Sequence, residues 1–239
     1  MDQGEKNFFL IPDWTGISFL VHGFGNRSWK TADFKAHPVW RNFKFVFLRQ
    51  IHSDIFHVVN DVPSERLTGD ALITDKPGLM LIIKTADCLP VLIVSRKKKA
   101  VAAVHCGWKS TSQRLVQKVI QGMERQFRCD PASLLVAFGP VIGRDCYEIG
   151  EDVRQDFDAA KLDGSAFLPH PVRADKYCLD LRLANKNQLL ECGVKDRHMA
   201  SVDLCTHCED FLLSYRRSRR VKGRMLNFIG ILPGQTDEG

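Results

Sequence analysis

Apolar residues recur along this chain in short runs, and the runs change period in the middle. Residues 17–21, 44–48 and 55–59 are brief stretches rich in β-branched, aromatic and leucine side chains, and each predicts a strand. Further runs at 79–84, 91–95 and 100–104 predict three more strands, the last two separated by the basic turn Arg96-Lys97-Lys98-Lys99. From 111 to 127 the spacing becomes helical. Leu115, Val116, Val119, Ile120, Met123 and Phe127 form an apolar stripe, and Gln113, Arg114, Gln117, Lys118 and Gln121 take the solvent-compatible positions, so Met123 is assigned to the core. Asp130-Pro131 separates this helix from the apolar run 134–138, which Gly139-Pro140 ends. Asp180 is placed to cap a helix running toward Cys192, with Leu181, Ala184, Gln188 and Leu189 on adjacent turns and Gly193 suited to the exit. A final strand is expected at 226–232, followed by a short tail from Pro233. The pattern predicts a mixed α/β fold, a β-rich core covered by helices. With no long linker, tandem repeat or low-complexity stretch, one domain is expected over residues 1–239.

Composition narrows the class. A chain of 239 residues that is 44% hydrophobic builds a core large enough to fold without covalent staples, so its eight scattered cysteines are expected to be thiols rather than a disulfide framework. No segment carries the basic, apolar and small-residue order of a signal peptide, and none approaches the roughly 18 apolar residues of a spanning helix, so a cytoplasmic protein with no membrane partner is expected. The net charge of +6 permits attraction to an anionic substrate. Nucleic acid is not expected, because the densest basic runs, 96–99 and Arg216-Arg217-Ser218-Arg219-Arg220, lack interleaved aromatics on which bases stack.

Three segments at strand ends carry the candidate chemistry: Gln50-Ile51-His52, Thr85-Ala86-Asp87-Cys88-Leu89-Pro90 and His105-Cys106-Gly107-Trp108. If they converge, His52, Cys88 and His105 offer one thiolate and two imidazoles, a donor set that holds catalytic zinc with a fourth position open. Each residue also has an ordinary reading as a core thiol or a satisfied imidazole. Asp87 either orients a ligand imidazole, takes a proton, or is a strand-end carboxylate satisfied by backbone donors. Cys106 stays outside the metal set, because neighbours on an extended segment point to opposite faces. Lys109, at a strand-to-helix transition, is either an anion contact or a solvated lysine. Cys205-Thr206-His207-Cys208 has the outline of a zinc knuckle, but no second C-x-x-C pair follows, and folded thiols with a surface histidine are expected there.

Taken in order, these segments join Gly69-Asp70-Ala71-Leu72-Ile73-Thr74, Gly139-Pro140-Val141-Ile142-Gly143, Cys146-Tyr147-Glu148, Cys205-Thr206, Ser214-Tyr215-Arg216-Arg217 and Gly223-Arg224. In that sequence of motifs the chain resembles the family named for multicopper polyphenol oxidase or laccase-domain proteins, a family associated with zinc-dependent purine nucleoside metabolism. Departures fall at 23–28, at Cys106 and at Lys109-Ser110, and leave the three ligand positions intact. The resemblance implies Zn2+ on His52, Cys88 and His105. It also implies phosphorolysis of purine nucleosides (adenosine, inosine, 5′-methylthioadenosine), with inorganic phosphate as co-substrate, and hydrolytic deamination of adenosine. Zinc lowers the pKa of water for attack at the purine C6, whereas phosphorolysis brings phosphate to the ribose C1′, with Lys109, Arg49, Arg216, Arg217 and Arg224 as candidate contacts. Two enzymatic alternatives stand beside this reading: a copper-dependent phenol oxidase, which the family name suggests and the sparse histidines disfavour, and a Cys88–His105 thiol hydrolase such as an editor of a peptidoglycan precursor. A noncatalytic zinc- or nucleotide-binding module is the third.

Overall fold

The computed structural model describes residues 7–38 and 40–234; the expected tail beyond Gly234 and both ends of the expected 1–239 domain lie outside the described residues. The first half of the chain runs β1 (Phe8–Phe9), β2 (Leu20–Gly25), α1 (Thr31–Ala36), β3 (Lys44–Phe47), β4 (Phe56–Val58), β5 (Ala71–Thr74), β6 (Leu79–Thr85), β7 (Leu89–Ser95) and β8 (Ala100–Cys106). Then come α2 (Trp108–Ser112), α3 (Leu115–Phe127), β9 (Leu135–Phe138), β10 (Glu148–Gly150), α4 (Glu151–Ala159), β11 (Phe167–Pro169), β12 (Lys176–Leu179), α5 (Leu181–Glu191), β13 (Met199–Ser201) and β14 (Met225–Ile231).

Two sheets stack face to face. One is ordered β1-β2-β14-β6-β3, the other β13-β9-β7-β8-β5-β4, and a small sheet, β10-β12-β11, lies to the side. The interface between the large sheets is apolar, with Phe24, Leu81, Ile83 and Ile229 of the first against Leu72, Leu92, Val101 and Ala103 of the second. The far face of the first sheet buries Met80, Ile82 and Phe228 under Trp29, Phe34 of α1 and Trp40. The far face of the second buries Ile73, Val91, Ile93 and Val104 under Val116, Val119, Ile120 and Met123 of α3 and Leu181 and Leu189 of α5. Both faces of β6, β7, β8 and β14 are therefore covered, which explains why these strands read as continuous apolar runs rather than alternating ones. The mixed α/β architecture with helices outside a β-rich core follows from this layering.

Local expectations and structure differ in three respects. The strand expected at 17–21 lies at Leu20–Gly25 instead. A Cβ on Gly23 within it would fall 2.5 Å from the Phe228 ring, so a side chain is excluded there by cross-strand packing. The single helix expected over 111–127 is split into α2 and α3. Arg114 between them takes a left-handed φ of 61°, and its guanidinium donates to Glu191 Oε2 and to the carbonyls of Ala160 and Lys161. Helix α5 begins where expected, the Asp180 carboxylate accepting from Leu183 N at 2.9 Å. Strands β1, β5 and β10 to β13 and helices α1 and α4 have no counterpart in the sequence reading.

Candidate metal centre

The site forms where the chain passes from one large sheet to the other. β6 ends at Thr85 in the first sheet and β7 starts at Leu89 in the second, so Cys88 sits in the crossing. The register places Pro90 opposite His105 and Ala71 opposite Val104, which brings the starts of β7 and β5 and the end of β8 to one edge. His52 comes over that edge on the loop between β3 and β4. The Cys88 Sγ lies 3.8 Å from His52 Nε2, the two imidazole centroids are 4.9 Å apart, and the donor atoms of His52, Cys88 and His105 all lie within 4.8 Å of one another. Cys106, next to His105 on the strand, turns to the other face and is buried among the helix-side core residues.

Two features make this a cradle. A Cβ on Gly107 would stand 2.8 Å from His52 Cδ2 and 3.1 Å from Cys88 Sγ, so the backbone there closes on two of the three donors. Beneath them the fully buried Asp70 collects the third donor and the His52 loop together. Its Oδ1 accepts from His105 Nδ1 at 2.8 Å and from His52 N at 3.1 Å; its Oδ2 accepts from Ser53 N at 2.6 Å, Ser53 Oγ at 2.7 Å and Ile51 N at 3.3 Å. Burial alone would raise the Asp70 carboxyl, but the hydrogen bonds from His105 and Ser53 outweigh it and hold the group down at about 2. A proton on His105 Nδ1 directed at Asp70 leaves Nε2 with its lone pair, the tautomer a ligand imidazole needs. Burial also opposes ionisation of Cys88, yet the charge and hydrogen bonds of His105, with those of His52, bring the thiol down to about 6. His105 is raised in turn, the Cys88 and Asp70 charges overcoming its burial. A thiolate and two imidazoles, one oriented by a buried carboxylate, fit a borderline-soft cation of the zinc class.

Asp70 entered the sequence reading only as part of a motif. Its signal was an acid set directly before the apolar run Ala71-Leu72-Ile73, a place where a carboxylate needs partners. Asp87, the expected imidazole-orienting acid, is engaged elsewhere: Oδ1 accepts from Thr206 Oγ1 at 2.7 Å and Oδ2 from Arg216 N at 2.6 Å. His52 and Asp87 have φ of 60° and 91°, left-handed values that side chains other than glycine adopt at a cost of about 1–3 kcal/mol, and these carboxylate bonds hold both in place.

The expected cations are dispersed. Lys109 is exposed on α2, its Nζ 5.4 Å from the ring centroid of Trp108. Arg49 is exposed beside Thr68, to which its backbone is bridged. Arg224 borders a cavity of about 500 Å³ shared with Trp29, Lys30 and Lys84, whose walls include none of the three donors. The Arg217 guanidinium is committed to the carbonyls of Thr206, His207, Glu209 and Leu212. Arg216 lies over the Tyr147 ring at 5.2 Å and donates to Glu148 O. Burial and the Cys88 charge push the Tyr147 phenol upward, which places that ring within the electrostatic reach of the donors.

Known proteins resemble this chain in sequence and in fold. A family model described as multi-copper polyphenol oxidoreductase laccase matches residues 26–232. A purine nucleoside phosphorylase of Clostridium acetobutylicum is 35% identical over 195 residues, covering 80% of this chain and 78% of that protein. A protein named adenosine deaminase, from an unknown prokaryotic organism, is 31% identical over 203 residues, covering 81% and 73%. The crystal structure of the hypothetical protein YfiH of Bacillus licheniformis superposes with a TM-score of 0.85 at 25% identity, over 96% of this chain and 98% of that one. Matched along most of its length by the family model and by relatives of this identity, the chain belongs to the multi-copper polyphenol oxidoreductase laccase family.

Proposed function

We propose that this chain is a zinc-dependent enzyme of purine nucleosides, cleaving them with inorganic phosphate and deaminating adenosine hydrolytically, with His52, Cys88 and His105 as the ligands of the ion. The observation that carries the reading is the convergence of those three donors from separate strand ends, supported by relatives named for both activities. Bound there, zinc supplies a Lewis acid and lowers the pKa of water. Everything else falls to the chain. Asp70 fixes the His105 tautomer and the His52 loop, and Gly107 keeps the space between His52 and Cys88 free of side chain. Trp108 and Lys109 follow Gly107 directly, presenting a planar surface and a cation to a nucleoside and its phosphate. Asp87 positions the 206–216 loop beside Cys88, with Arg216 and the Tyr147 ring on the same side. Arg49, directly before Gln50-Ile51-His52, and Arg224, at the separate cavity, are further anion contacts in this reading.

A copper oxidase is disfavoured by the donors themselves. Oxygen reduction by several coppers needs histidine-rich clusters. Among the described residues the triad is joined by one other donor group, and that group is all thiol. The deciding experiment follows adenosine and inosine separately by product-resolving chromatography, with and without phosphate, using zinc-loaded protein, metal-free protein and His52→Ala. Phosphate-dependent release of free base and zinc-dependent formation of inosine from adenosine are expected. Absence of turnover by folded, zinc-loaded protein would overturn the reading.

A further inference from the structure

The other donor group is built from Cys146, Cys205 and Cys208, whose sulfurs lie within 4.8 Å of one another, with Cys146 and Cys208 3.6 Å apart. The backbone prepares this arrangement. Val141 and Cys205 pair as a parallel bridge, Thr206 N donating to Val141 O at 3.0 Å, so the turn carrying Cys146 is held against the segment carrying the other two. Cys208 N and Glu209 N both donate to Cys205 O, at 3.2 and 3.1 Å, and fold the C-x-x-C segment into a tight chelating turn. Gly143 N then donates to Cys205 Sγ at 3.1 Å. Although burial opposes it, this N–H with those of Cys208 and His207 draws the Cys205 thiol below its ordinary value, as N–H···S bonds do for a thiolate. A tetrahedral zinc–thiolate site with bonds of about 2.3 Å has sulfurs about 3.8 Å apart, close to the Cys146–Cys208 separation. The C-x-x-C segment alone predicts no site; the third sulfur arrives from a distant turn.

We propose that Cys146, Cys205 and Cys208 form a second metal site, taking a thiophilic divalent cation of the zinc class through three thiolates and leaving its fourth position to water or an exchangeable ligand. Each thiol releases its proton to solvent as the cation binds, and no electron is transferred. The site shares no ligand with His52, Cys88 and His105 and stands independently of the nucleoside reading. It ties the turn at Cys146 to the segment whose Thr206 and Arg216 hold the Asp87 carboxylate, so the second cation steadies the residue preceding Cys88.

Full-length protein, reduced and stripped with chelator, is titrated with Zn2+ and its bound metal counted by elemental analysis. Two equivalents are expected for the wild type, one for His52→Ala/Cys88→Ser, one for Cys146→Ser/Cys208→Ser and none for the combined variant. Loaded with Co2+, His52→Ala/Cys88→Ser should give thiolate-to-cobalt absorption about threefold stronger than Cys146→Ser/Cys208→Ser, in proportion to three thiolates against one. A single equivalent on folded, reduced wild-type protein that Cys146→Ser/Cys208→Ser still binds overturns the proposal, whereas a single equivalent lost in that variant upholds it and counts against the triad instead. A Cys146–Cys208 disulfide, found by mass spectrometry in protein that takes up no second cation, also overturns the proposal and would assign the group to thiol redox chemistry.

Discussion

Gly107→Ala isolates the geometry of the triad from the stability of the fold. The Gly107 backbone, with φ −80° and ψ 175°, is in a region alanine adopts freely, and at the position before α2 the exchange costs no more than about 1 kcal/mol of helix capping. The added methyl, however, stands 2.8 Å from His52 Cδ2 and 3.1 Å from Cys88 Sγ. Carbon–carbon contacts settle at about 3.5–4.0 Å, so the imidazole must retreat by roughly 0.7–1.2 Å. The His52 loop cannot follow, because Asp70 holds the amides of Ile51, His52 and Ser53. Ligand bonds tolerate only about 0.2 Å, so the variant is expected to lose at least tenfold in zinc affinity, about 1.4 kcal/mol, while melting within a few degrees of the parent. Competition against a chromophoric chelator measures the affinity, and thermal unfolding of the metal-free proteins supplies the control. Zinc affinity within twofold of the parent would refute the argument that this backbone approach shapes the site.

Further expectations follow from the same structure. Asp70→Asn removes the charge that fixes His105 and places an amide among donors, so zinc affinity should fall about 10–100-fold in the same chelator competition; an unchanged affinity would remove Asp70 from the ligand-orienting role. Burial lowers His22 from 6.5 to about 4, and its Nε2 accepts from Ile11 N. Above pH 6.5 the group is neutral folded and unfolded; as pH falls toward 4 only the unfolded chain takes the proton, so about 3 kcal/mol of stability is lost across that window. In urea titrations His22→Gln should flatten that slope, and an unaltered pH dependence would count against the assignment. Phe228→Ala empties a fully buried site between Gly23, Phe34 and Trp40 and should cost about 3–5 kcal/mol by chemical denaturation, a loss below 1 kcal/mol being inconsistent with the packing.

What the sequence determined by itself is local. Apolar runs located β3, β6, β7, β8, β9 and β14; the 3.6-residue stripe from Leu115 to Phe127 located α3; and Asp180 marked the start of α5, because each is encoded in residues a few positions apart. The order of motifs was enough to name the family and to nominate His52, Cys88 and His105. Tertiary structure decided the rest. Strands buried on both faces carry no alternation, so nothing in the runs says which side chains meet across the two sheets. The fall of Arg114 into a left-handed conformation depends on Glu191 and on the carbonyls of Ala160 and Lys161, partners distant in the chain. The same holds at the candidate metal centre, where Asp70 reaches both His105 and the His52 loop because β5 and β8 pair. It holds again at the thiol cluster, where Cys146 joins Cys205 and Cys208 through the Val141–Cys205 bridge and the Gly143–Cys205 hydrogen bond. Contacts of that kind are fixed by how sheets register and stack, and a linear pattern of residue types carries no record of them.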